Sequence, residues 1–358
     1  MEKYNQVYGN YTFGTGSWMD DELYERGVLD PYDDEVIKSY VSQVSKDLDR
    51  IGVLDSVTEF SVLDVGTGRQ ALAFSRFPAK SIQHYDISEQ NIQRFQSFLK
   101  SNKVAIVSRR MDISSDQMVE SSVYDLIYLQ GVIQHVKDPN TAIFNLARSC
   151  KLQGIMWLYH YQCGSPVHIY AEVAREIMGT DFDLDTMLKL YKIANLSPKV
   201  ISNIMDNIGC SYRYLLKTNY YKQCMERYGF RQFYRKDIAN DAEGLDISAT
   251  ADACIGGYRK EFDEPNKVKE PNLPVSVDHL EPKNYIDAQR QLISDLRNIR
   301  DEIKRNVLAG GMTQLEVMVV ILPLLKAMTS YRASDSTDKV SDTLIRSFSD
   351  AAYFSKKT

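Results

Sequence analysis

The sequence predicts an α/β fold: a parallel sheet with helices on both faces, with helical segments added to it. Three observations predict it. Short apolar runs alternate with amphipathic stretches over residues 58–164, the pitch of strand–helix repeats. The first of these runs ends in a turn with two glycines, in FSVLDVGTGRQALAF. Two further strand-like stretches, YGFRQFYR and ACIGGYR, come much later in the chain.

The elements follow in order. Residues 1–57 make an N-terminal arm and a helix. The arm is rich in Tyr and Gly and has no period. Val36, Ile37, Tyr40, Val41, Val44, Leu48 and Ile51 then recur at three- and four-residue spacing, which predicts a helix that Gly52 ends. Residues 58–164 are the alternating core. Strands are expected at 61–64, 81–85, 103–107, 125–129 and 154–161, and helices at 69–77, 88–100 and 139–150. Residues 165–225 read as helical throughout. Residues 226–262 hold the two late strands, at 228–235 and 253–259. Residues 263–284 are Pro-rich and charged, the composition of a linker. Residues 285–358 read as a C-terminal helical region. There Leu292, Leu296, Ile299, Ile303 and Val307 share a face, and Gly310-Gly311 breaks the helix.

Composition narrows the function. The chain has 358 residues and a net charge of −5, which argues against a nucleic-acid partner because phosphate binding wants a basic face. Its most apolar window, LEVMVVILPLLKAM, is too short to span a bilayer and carries Pro323 and Lys326. It reads as a buried helix, and no membrane association is expected. The start of the chain lacks an apolar leader and an Arg-rich transit pattern. The five cysteines, Cys150, Cys163, Cys210, Cys224 and Cys254, contain no C-x-x-C pair. No metal site is expected, and the thiols read as reduced, in a cytoplasmic protein.

Two ligands suit the glycine turn. Gly66-x-Gly68-x-x-Ala71 satisfies the fingerprint for a dinucleotide pyrophosphate, and Asp86 closes the next strand where an acid can take ribose hydroxyls. S-adenosylmethionine is the other. Three features favour it. Asp64 stands two residues before the first glycine, where a carboxylate opposes a pyrophosphate but suits an ammonium group. YDLIYLQGVIQHVKDP is a strand running into a loop with a Gly and a His. GFRQFYRKDI and DACIGGYRK suit an antiparallel sheet edge.

On SVLDVGTG, HYDISEQNI, MDIS and YDLIYLQGVIQHVKDP the chain resembles the class I S-adenosylmethionine-dependent methyltransferases, over roughly residues 58–262. Gln70 stands where the family often has a third glycine. The resemblance implies a Rossmann-like seven-stranded methyltransferase sheet, here with a helical insertion and a C-terminal helical extension. It implies S-adenosylmethionine as cofactor. Asp64, Gly66 and Gly68 would line the methionine portion, and Asp86, with Ile87 beside it, would hold the ribose. Asp112 would accept from the adenine amino group, with Met111 or Ile113 flanking the ring. Gln130 would lie at the methionine end, facing substrate.

Each of these residues also has a plainer role. Asp64 and Asp86 could cap helices, and Asp112 could make an ordinary turn. His135 and His160 are candidate bases for the acceptor, or packing residues. Tyr159 and Tyr161 could share that role. The tyrosines Tyr4, Tyr8 and Tyr11, with Trp18, are candidates for a lid over the site, since aromatic faces attract a sulfonium. Tyr170, Arg175, Tyr214 and Tyr220 are candidate contacts in the helical insertion; Tyr11, Trp18, Tyr161 and Tyr170 make the substrate-binding set. The expected reaction is methyl transfer to an oxygen or nitrogen of a small-molecule acceptor. The alternatives are a macromolecular (protein or RNA) methyltransferase, a non-catalytic cofactor-binding or assembly protein, and a nicotinamide oxidoreductase. A homodimer through the C-terminal helices is a further expectation.

Overall fold

A computed structural model describes residues 32–115, 121–160, 191, 218–237 and 254–261. The expectations for residues 1–31, for most of the 165–225 insertion, for the 263–284 linker and for 285–358 lie outside the described residues. So does the homodimer expected from that last region.

Helix α1 (Asp34–Arg50) starts where Asp33 accepts from the Glu35 and Val36 N–H groups. Those donors have no partner inside the helix, so the cap stabilises its first turn. Ile37, Val44 and Leu48 make its buried stripe. Beyond it come β1 (Ser61–Val65), α2 (Arg69–Phe74), β2 (Ser81–Asp86), α3 (Glu89–Asn102) and β3 (Val107–Arg110). Then β4 (Tyr124–Gln130) leads through a single 3-10 turn (Ile133–His135) into α4 (Pro139–Ser149) and β5 (Cys150–His160). Helix α5 (Thr218–Arg227) precedes β6 (Phe230–Asp237) and β7 (Cys254–Lys260).

The strands form one seven-stranded sheet in the order β3-β2-β1-β4-β5-β7-β6. The first five strands pair in parallel. β7 runs antiparallel between β5 and β6. This is the Rossmann-like sheet that the motifs implied. The order reverses between β1 and β4, and ligands bind at such switch points, outside the carboxyl ends of the strands.

Each face of the sheet has its own core. On one, α1, α2 and α3 cover Val62, Leu126 and Trp157, with Tyr128 stacked on Trp157 at 5.9 Å between ring centroids. On the other, α4 and α5 bring Ile143, Leu146, Tyr221 and Met225 against Tyr85, Ile127, Leu129 and Met156. The buried Lys260 ammonium donates to the Ala147 and Cys150 carbonyls, both at 2.8 Å, and so ties β7 to the end of α4.

Several boundaries differ from the sequence reading: β5 begins at Cys150 rather than 154, β6 runs Phe230–Asp237 rather than 228–235, and two further shifts have a local cause. The third strand lies at Val107–Arg110, not at 103–107. Lys103 instead takes a left-handed conformation that ends α3, and Val104 and Ile106 pack as a loop. Helix α2 stops at Phe74 rather than 77, because Arg76 and Phe77 turn through i→i−3 bonds to Ala73 and Phe74.

Candidate cofactor and substrate site

The site is built at the carboxyl ends of β1, β2 and β4. Asp64 is completely buried. Its Oδ2 accepts from the Ala71 N–H at 2.9 Å, which pins the first turn of α2. Its Oδ1 has no hydrogen-bond partner. Burial pushes this carboxyl up to about 7, against the opposing pull of the Ala71 N–H and Arg69. The chain then turns at Gly66 (φ 138°) and Gly68 (φ 85°), the latter capping α2. A Cβ on Gly68 would stand 2.9 Å from the Phe95 ring, so both the conformation and the space require glycine. Gln70 is buried in the first turn of α2.

Asp86 ends β2. Its Oδ1 accepts from the Ser88 N–H at 2.7 Å and its Oδ2 from Asn91 Nδ2 at 3.0 Å. Burial pushes it up to about 6, with the Ser88 and Asn91 donors pulling the other way. A carboxylate has about four acceptor directions, so these two bonds and the Ile87 N–H beside them still leave one open. Ile87 beside it is 59% exposed, an apolar face at the mouth of the site. The Met111 N–H donates to the Asp86 carbonyl and brings the loop after β3 alongside. In that loop Asp112 Oδ1 accepts from the Ser114 N–H and hydroxyl, while Ile113 is buried and its carbonyl is held by Asn145.

Asp64 stands opposite Tyr128 in the β1–β4 ladder. Gln130, two residues beyond Tyr128, therefore shares a sheet face with Asp64. Its Oε1 is buried and has no partner. His135 sits half-buried at the end of the 3-10 turn after β4. His160 is buried at the end of β5, its ring 4.4 Å from that of Tyr221. Strand alternation puts it on the α4–α5 face, away from Asp64 and Gln130. Tyr220 is buried on α5, and Tyr159 is buried in the core on the other face. Tyr4, Tyr8, Tyr11, Trp18, Tyr161, Tyr170, Arg175 and Tyr214 lie outside the described residues.

Sequence reasoning missed His84. It lies opposite Asp64 in the β1–β2 ladder and is completely buried. Its Nε2 meets the Gly66 carbonyl at 2.6 Å and its Nδ1 meets Ser108 Oγ at 3.0 Å. Burial pushes its pKa down to about 4. The available clue was its position: it stands two residues after Ile82 and two before Asp86, on the same face of β2. Among the described residues, no cluster of His, Cys, Asp and Glu could hold a metal ion.

The family model of the methyltransferase domain matches residues 63–158, from within β1 almost to the end of β5. Over that segment the chain is similar to a methyltransferase domain. The matched segment holds Asp64, both glycines, Asp86, Asp112, Gln130 and His135. Solved structures similar to this chain include YcgJ from Bacillus subtilis, at 14% identity and a TM-score of 0.42, covering 63% of this chain and 99% of the other. A putative sarcosine dimethylglycine methyltransferase from Galdieria sulphuraria is similar at 13% identity and a TM-score of 0.41, over 72% of this chain and 97% of its own. An S-adenosylmethionine-dependent methyltransferase from Mesorhizobium loti is similar at 12% identity and a TM-score of 0.40, over 59% and 99%. No curated protein matches the chain. Among the described residues, no helix is long and apolar enough to cross a membrane.

Proposed function

We propose that the chain binds S-adenosylmethionine in this site and transfers its methyl group to an oxygen or nitrogen of a small-molecule acceptor. The observation that carries the reading is a pair of buried acceptors without donors, Asp64 Oδ1 and Gln130 Oε1. They stand on neighbouring strands, on one face, beside the glycine turn. A buried polar atom left unsatisfied costs about 1–3 kcal/mol, which a donor on a ligand recovers. An ammonium group brings three donors and a positive charge. The pyrophosphate of a dinucleotide would bring negative charge against Asp64. The open acceptor direction of Asp86 suits a ribose hydroxyl. Ile87 offers a flat apolar face to an adenine ring, with Asp112 and Ile113 on the neighbouring loop.

Once bound, the cofactor supplies an electrophilic methyl group on a good leaving group. The chain is left with alignment and the exclusion of water. An acceptor oxygen of high pKa also needs a base, and His135 is the histidine proposed for it, since His160 is buried against Tyr221 on the other face. Tyr11, Trp18, Tyr161 and Tyr170 are the proposed acceptor contacts. The net charge of −5 supports a small acceptor over a nucleic acid. The proposed compartment is the cytoplasm.

Calorimetric titration with S-adenosylmethionine, S-adenosylhomocysteine and NADH tests this. Micromolar binding of the first two and none of the third is expected. Asp86→Asn should weaken the binding by about 1–3 kcal/mol, through lost charge-assisted hydrogen bonds. Binding of NADH alone would overturn the reading. Binding of none of the three would favour an assembly role.

A further inference from the structure

His84 lies beneath the glycine turn and is no part of the site's mouth. Gly66 is where β1 leaves the sheet. Its N–H still follows the ladder and donates to the Tyr85 carbonyl at 2.9 Å. Its carbonyl turns out of the ladder and meets His84 Nε2 instead. A carbonyl can only accept, so Nε2 carries the proton of this bond. In the neutral ring Nδ1 is then the acceptor, and the Ser108 hydroxyl donates to it. The Ser108 carbonyl is in turn held by Gln96 Nε2 at 2.9 Å. The Phe95 ring packs edge-on to the imidazole, with centroids 4.6 Å apart. That same ring is the wall against Gly68. One buried cluster, His84, Ser108 and Phe95, therefore lies under both glycines.

The peptide between Gly66 and Thr67 is trans and planar. Its N–H and carbonyl point in opposite directions. Holding the carbonyl down on His84 directs the Thr67 N–H away from the core. We infer that His84 is a positioning residue, which sets the Gly66–Thr67 peptide in the orientation that receives the methionine end of the cofactor. This rests on the cofactor reading above, but the imidazole never touches the ligand. Its role is to supply one donor, at one place, from a ring that Ser108 and Phe95 keep from rotating.

The test compares His84→Leu with His84→Gln. The Gln amide can place a donor near the position of Nε2, and Leu has none. Two readouts are taken on the full chain: S-adenosylhomocysteine affinity by calorimetry, and amide hydrogen exchange without ligand at Gly66 and Leu72, whose N–H groups are held by the Tyr85 and Gly68 carbonyls. His84→Leu should weaken affinity about tenfold or more and speed exchange at those two amides, while β4 and β5 keep wild-type protection. His84→Gln should restore both to within a few-fold. If His84→Leu does not fold, Ser108→Ala removes the donor to Nδ1 and should show the same pattern more weakly. Equal affinity and equal exchange in wild type and His84→Leu would overturn the inference. So would a uniform loss of protection across the sheet, or a His84→Gln no better than His84→Leu. If wild type binds no S-adenosylhomocysteine, the cofactor reading fails, and the exchange data alone still decide whether His84 holds the turn.

Discussion

Asp64 is asked to cap a helix and to stay ready for a cation. Near neutral pH it is divided between acid and anion, because burial pushes it up to about 7 from an ordinary value of 3.8. The linkage follows in sign. An acid whose folded pKa is raised gives stability that is complete below its unfolded pKa and lost as pH rises through the folded one. Between pH 6 and pH 8 that loss is on the order of 1 kcal/mol. His84 acts in the other direction. Its lowered pKa gives stability that is present above 6.5 and lost as pH falls towards 4. Asp64→Asn keeps an oxygen for the Ala71 N–H and removes only the titration. Chemical denaturation at both pH values should therefore show wild type losing on the order of 1 kcal/mol more than the variant on going from pH 6 to pH 8, with the His84 contribution common to both. Parallel stabilities would mean that Asp64 is already ionised in the folded protein.

At the scale of elements, the glycine turn and its wall make one unit. Gly68→Ala must both hold a positive φ and push on Phe95, a cost of about 1–3 kcal/mol. Thermal melts should show the loss, and a Phe95→Leu background should make the same substitution less damaging. An equal loss in both backgrounds would place all the cost in the backbone. The elements themselves were mostly legible in the sequence. β1 and β4 are runs buried on both faces, and Ile37, Val44 and Leu48, three of the residues whose spacing predicts α1, make its buried stripe. β3 was not legible. As the edge strand it reads VSRR and exposes Val107, Arg109 and Arg110, with only Ser108 buried. The apolar Val104 and Ile106 drew the reading upstream, although they fill the core from a loop. In the site, the carboxylates were legible from their places after apolar strands. The unpartnered state of Gln130 and the role of His84 were not. Both depend on which side chains meet across strands.

Across the whole molecule, two cores are joined through one sheet, and β5 is buried against both. Among the described residues its outer edge is covered by β7 alone, which comes about ninety residues later in the chain. β6 precedes β7 but pairs with nothing else in the sheet. A chain ending after Asp237 should leave the β5 edge bare and associate through it. Light scattering and size-exclusion chromatography would reveal this as oligomers absent from the full chain. A monodisperse truncated chain would mean that another segment shields β5. The same placement sets an order of assembly during translation. At 5–20 residues per second, the ribosome needs roughly 5–20 s to pass from β5 to β7. For that interval the nascent domain has a finished glycine turn and an unfinished sheet. Holdase chaperones, which favour exposed strand edges, then have their longest opportunity to engage it.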